Sequence, residues 1–107
     1  MKYSIIINPI NEKSQASAHA IDFVSAILKK ERCFVNVFFY GYAVKQAFFN
    51  DQSWNKLVNN RMTLQVCSTV AESYLSRELE IMPHFNLAGL GQWMEALVSS
   101  DKRVEFV

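Results

Sequence analysis

Cys67 is the residue of this 107-residue chain whose type and setting could do chemistry. A β-like run, Met62-Thr63-Leu64-Gln65-Val66, ends at it, and Ser68-Thr69-Val70-Ala71-Glu72 reads as the first turn of a helix. Thr69 and Glu72 have the spacing of a capping box, in which hydroxyl and carboxylate satisfy the free amides of a helix start. A thiol placed just before a helix feels the positive end of the helix dipole, which favours the thiolate. Thiolate is the form that attacks sulfur, carbon or metal. The competing reading is a small buried hydrophobe at a strand end, since free cysteine is among the most buried residue types.

Spacing excludes several cysteine chemistries. A thioredoxin-type pair needs a second cysteine where Val70 stands, and a Cys-x5-Arg phosphatase loop needs arginine where Ser73 stands. A cysteine protease needs a base, and neither His19 nor His84 has a clear relation to Cys67 in sequence. No Cys-x-x-Cys or His/Cys pair has metal-ligand spacing, so neither a metal nor a cofactor is expected. Gly89-Leu90-Gly91 invites a phosphate-loop reading, but Met94 occupies the place of the third glycine and no Gly-Lys-Ser/Thr follows. A tight strand-to-helix turn is the better reading. The Leu90, Trp93, Met94 and Leu97 stripe reads as core or interface, and His84 as a loop residue. A lone nucleophilic or carrier thiol remains.

The elements that must position this thiol follow from hydrophobic periodicity. Tyr3 to Asn8 is a short Ile-rich run that fits a buried strand, broken by Asn8-Pro9. Ala20, Phe23, Val24, Ile27 and Leu28 recur at helical spacing, with Ser14 or Ser17 as cap and Lys29-Lys30 at the C-terminal end. Cys33 to Tyr40 reads as a second strand ended by Gly41, and Tyr42 to Phe49 as a short helix. Asp51 is the expected N-cap of a further helix burying Trp54, Leu57 and Val58. The third strand leads to Cys67 and a helix running to about Glu80. Phe85 to Gly89 is a short fourth strand, followed by a helix carrying Leu90, Trp93, Met94, Leu97 and Val98, and Arg103 to Val107 is a last strand.

Strands and helices thus alternate, which predicts right-handed βαβ crossovers and an α/β three-layer sandwich: a mostly parallel sheet of four to five strands with helices on both faces. Sites in such sheets form at the carboxyl ends of the strands, where Tyr40, Cys67 and Gly89–Gly91 all fall. Cys33 falls at the opposite edge, so a Cys33–Cys67 bridge is geometrically awkward.

Composition bounds the rest. The length suits one domain over residues 1–107, and half the residues are hydrophobic. Surplus apolar surface on so small a domain points to a subunit interface. With 11 basic and 10 acidic residues and no Arg/Lys stripe, a nucleic-acid groove is not expected. No apolar run has the length of a membrane span, and the N-terminus reaches Asn8-Pro9 too soon for a signal peptide, so a cytoplasmic protein is expected.

Phe38-Phe39-Tyr40, Leu64-Gln65-Val66-Cys67, Phe85-Asn86-Leu87-Ala88-Gly89-Leu90-Gly91 and the closing Asp101-Lys102-Arg103-Val104-Glu105-Phe106 occur in an order that resembles the DsrE/TusD family of intracellular sulfur-relay proteins. The resemblance spans essentially the whole chain. It implies a flavodoxin-like fold and a sulfurtransferase whose Cys67 carries sulfur as a persulfide, with the Phe85–Gly91 segment as a loop beside it; Tyr40, Ser68, Thr69, Gly89, Leu90 and Gly91 are the expected pocket neighbours. It further implies an oligomer with related TusB/TusC-like subunits or copies of itself, a TusA-like sulfur donor and a TusE-like acceptor. The relay it implies serves 2-thiouridine synthesis at the tRNA wobble position, without direct contact to nucleic acid. A DsrEFH-type sulfur-oxidation relay, or a non-catalytic subunit of such a complex, are the alternatives. Two departures from the family pattern stand out: a shorter segment between Tyr40 and Met62, and no glycines in the loop after Asn8-Pro9.

Overall fold

The structure is a computed structural model that describes residues 1–30, 32–49 and 53–107. Five parallel strands, β1 (Lys2–Ile7), β2 (Phe34–Phe39), β3 (Met62–Cys67), β4 (Phe85–Ala88) and β5 (Lys102–Phe106), form one sheet in the order β4-β3-β2-β1-β5. Between them lie α1 (Ala16–Leu28), a 3₁₀ helix (Gly41–Ala47), α2 (Ser68–Leu75) and α3 (Leu90–Ser99). The predicted α/β architecture is therefore the observed one.

Strand order dictates where the helices go. From β1 to β4 each connection steps the same way across the sheet, and right-handed crossovers then place α1, the 3₁₀ helix and α2 on one face. The step from β4 to β5 runs backwards, so α3 lies on the other face. Aromatic contacts agree: Phe23 of α1 meets Tyr3 and Phe106, whereas Trp93 of α3 stacks on Phe38 at 4.9 Å. Because side chains alternate along a strand, Tyr3, Ile5, Val37, Phe39, Leu64, Val66 and Phe85 point to the α1 side. Ser4, Phe38, Gln65, Cys67, Asn86 and Ala88 point to the α3 side.

The core is concentrated on the α1 side. Ile5, Ile7, Val24, Val37, Phe39, Trp54 and Val66 are all fully buried there. Trp54 meets Phe39 edge-on at 5.2 Å and donates its indole N–H to Gln46 Oε1, which also accepts from Ser17. Gly41 leaves β2 at a positive φ of 58°, and a Cβ there would come within 2.9 Å of Asn8 Oδ1, so this turn requires glycine.

Several local expectations change. Ser14 does accept from the Ala16 N–H, but Ser17 turns to Gln46 instead of capping α1. The short helix expected over residues 42–49 is a 3₁₀ helix over Gly41–Ala47. Residues 53–57 are turns, with Trp54 buried and Leu57 and Val58 only partly so; the Asp51 cap lies outside the described residues. α2 stops at Leu75 and not near Glu80, because Glu78 adopts φ 62° and residues 76–78 close by tight turns onto residues 72–75.

Candidate functional site

Cys67 is the last residue of β3 and the N-cap of α2 (φ −57°, ψ 115°). The strand passes into the helix with no intervening loop. Consequently Thr69 is already the second helical residue, no side chain caps the helix start, and the Thr69/Glu72 capping box does not form. The first amides of α2 are therefore without intrahelical partners, as at any helix start, and they lie next to the thiol in the chain.

Register places the neighbours. Cys67 pairs with Ala88 at the end of β4, and Gly89 follows as the N-cap of α3. The Gly89 N–H donates to Gln92 Oε1 at 2.9 Å, closing that helix start from the side-chain end. β3 releases its chain to the α1 face and β4 releases its chain to the opposite face. The carboxyl ends of these two adjacent strands thus form a topological switch point, the place where α/β sheets present crevices. Cys67, Ser68, Thr69, Gly89, Leu90 and Gly91 all stand there. Tyr40 joins them from β2: Phe39 pairs with Val66, so the next residue lies level with Cys67. Its ring stacks on Phe38, which in turn stacks on Trp93. The expected pocket neighbours are therefore brought to one end of the sheet.

The thiol itself is almost fully covered, at 2% exposure. It points to the α3 face, where α3 crosses the sheet through Trp93 on Phe38 and through Ala96, whose carbonyl accepts from Ser4 Oγ at 3.3 Å. Gly89 and Gly91 have open space where a Cβ would go, and neither has a positive φ. Neither glycine is demanded by the fold. The apolar stripe of α3 divides: Trp93 is buried and Leu97 partly so, whereas Leu90, Met94 and Val98 are exposed.

The remaining chemistry-bearing residues lie elsewhere. Cys33 precedes β2 at the amino edge, and the register separates it from Cys67 by about seven strand rises, or roughly 23 Å. Both cysteines are free, and that span is far beyond the reach of a disulfide. His84, with φ 76°, precedes β4 about four strand rises, or roughly 13 Å, from the level of Cys67. His19 is exposed on α1. Two cavities of about 310 Å³ each lie on the α3 face away from the thiol. One opens at the amino edge between Lys2, Phe34, Asn36, Arg61 and Thr63, the other between α3 and β5 beside Ile6 and Arg103.

Sequence reasoning missed Gln65. It lies two residues before Cys67 on the same face, and its Oε1 is buried without a hydrogen-bond partner among the described residues. A long polar side chain two residues before the thiol, on the same parity of the strand, was the available signal.

Comparison with known proteins gives a consistent result. No family model matches the chain. A sulfurtransferase TusD homolog of Vibrio vulnificus is 26% identical over 128 aligned positions, covering 99% of this chain and 98% of that protein. Sulfurtransferase TusD of Salmonella arizonae is 25% identical, covering 99% and 100%. Among solved structures, the YchN protein of E. coli superposes with a TM-score of 0.84 at 14% identity, over 99% of both chains. A protein of unknown function from Methanobacterium thermoautotrophicum gives 0.73 at 12% identity, over 95% of this chain and 97% of that one. The fold is DsrE-like, and the chain resembles the TusD proteins from end to end.

Proposed function

We propose that this chain is a sulfurtransferase that carries sulfur on Cys67 as a persulfide, passing it from one protein to another. The observation that carries the reading is the position of Cys67 at the switch point of a DsrE-like sheet, in a chain that aligns with TusD sulfurtransferases over nearly its full length. The exchange needs little machinery. Cys67 thiolate attacks the outer sulfur of a donor persulfide, the donor leaves as thiolate, and the acceptor's thiolate later repeats the attack on Cys67. No general base is required once the thiolate is formed.

A TusA-like donor and a TusE-like acceptor fit this role, with TusB/TusC-like subunits or further copies of the chain completing an oligomer. The destination we propose is the 2-thiouridine of the tRNA wobble position, reached through proteins and not by contact with tRNA. Among the described residues no helix is long and apolar enough to cross a membrane, and we place the relay in the cytoplasm.

One observation favours a second reading, a non-catalytic subunit: the 2% exposure of Cys67. In the relay reading, a thiol so covered requires the carboxyl end of the sheet to open when a partner docks. The two readings separate on one experiment. After incubation with a persulfide donor, mass spectrometry of the wild type shows an adduct of one sulfur atom on Cys67, and Cys67→Ser abolishes it. An adduct on Cys33, or none on the chain with its partners present, removes the relay role.

A further inference from the structure

The α3 face of the sheet is only half covered. α3 lies over β1 and β2 through Ser4 and Phe38, while on β3 and β4 the residues of the same parity are Thr63, Gln65, Cys67, Asn86 and Ala88. Thr63 is satisfied, donating to Asn36 Oδ1 at 2.8 Å, and Asn86 is exposed to water. Gln65 is the exception. Its Oε1 is enclosed but accepts nothing among the described residues, although a leucine would fill a half-buried strand position without leaving an acceptor unpaired.

Cys67 is the next residue on that face, about 6.6 Å further along the strand. A persulfide extends the cysteine by one sulfur, about 2 Å beyond Sγ, and adds a hydrogen-bond donor when its outer sulfur is protonated. We propose that Gln65 Oε1 accepts that hydrogen and so holds the Cys67 persulfide in its neutral form. This rests on the persulfide reading of Cys67.

The chemistry makes the protonation state matter. In Cys67–S–SH the outer sulfur is an electrophile. An incoming thiolate or cyanide bonds to it, the S–S bond breaks, and the electron pair remains on Cys67 Sγ as thiolate. The hydrogen departs with the transferred sulfur, so atoms and charge balance without an external oxidant. In the ionised form Cys67–S–S⁻ the outer sulfur repels the same nucleophile. An acceptor beside the outer sulfur bonds only to the protonated form, and therefore favours release of sulfur over its retention.

The test uses the full chain loaded with inorganic polysulfide and discharged with cyanide, with thiocyanate as the readout. Gln65→Met keeps the shape and removes the oxygen. Gln65→Asn keeps the amide but draws it back by one methylene. Both variants are expected to load on Cys67 like the wild type and to release thiocyanate roughly three- to ten-fold more slowly at neutral pH, and Gln65→Met, which removes the unpaired acceptor, to be at least as stable. The deficit is expected to shrink at lower pH, where the outer sulfur is protonated without help. A purely structural glutamine predicts unchanged release in Gln65→Met, or a deficit that does not vary with pH, and either result overturns the proposal. Failure of the wild type to load on Cys67 is a different outcome: it removes the persulfide reading and this proposal with it.

Discussion

On the α1 side, the sheet buries Ile5, Val37, Phe39 and Val66 completely beneath α1, the 3₁₀ helix and α2, with Trp54 plugged against Phe39. On the α3 side, the same strands bury Ser4 and Phe38 under one helix and leave Thr63 and Asn86 in water. The first side is close-packed apolar material and supplies most of the hydrophobic stabilisation. The second is thinner and more polar, and Cys67 and Gln65 both face it. Chemistry that requires a covered thiol to be reached belongs on the side where less packing must be disturbed.

Substitutions on each side break or sharpen this contrast. The largest effect is expected at Trp54, fully buried on the α1 side: Trp54→Ala removes the edge contact with Phe39 and the hydrogen bond to Gln46, and is expected to cost about 3–5 kcal/mol in denaturant unfolding. A loss below about 1 kcal/mol would mean that the α1 side is not the stabilising one. A smaller effect is expected from Ser4→Ala on the α3 side. Ser4 Oγ has one proton to give, to the Ala96 carbonyl or to Ser100 Oγ, and Ser100 donates to Ala96 at 2.6 Å without its help. The expected loss is therefore only about 0.5–1 kcal/mol, read from the same unfolding curves. The smallest is Met94→Ser on the outward surface of α3, where 57% exposure limits the change to about 0.5 kcal/mol. A larger, concentration-dependent loss at Met94 would show that this surface is covered by another subunit in solution.

Much of the fold was legible in particular residues. The Ile-rich opening run, the Phe38-Phe39 run and the Met62–Val66 run are apolar segments of strand length, and each became a strand of the parallel sheet. The opposite-edge placement of Cys33 and Cys67 also followed, because one opens its run and the other closes it. Local errors arose where short-range signals met longer-range bonds. Ser17 has the chemistry of a cap but bonds to Gln46, 29 residues away. The Trp54, Leu57, Val58 spacing looks helical, yet residues 53–57 form turns, with the buried Trp54 indole tied to Gln46. Thr69 and Glu72 have capping-box spacing, but the helix starts two residues too early to use it.

For the site, residue type and local order were enough to put a thiol at a strand end before a helix. They follow from hydrophobic period and from where the apolar run stops, both properties of neighbouring residues in the chain. The strand order β4-β3-β2-β1-β5 is not such a property, since it depends on pairings between segments tens of residues apart. That order sends the connections of β3 and β4 to opposite faces, turns Cys67 toward the thin α3 side, covers it to 2% exposure and leaves Gln65 Oε1 without a hydrogen-bond partner among the described residues. Neighbouring residues alone were enough to put a thiol at a strand end; the packing of distant strands and one crossing helix fixed which face it turns to and how deeply it is buried.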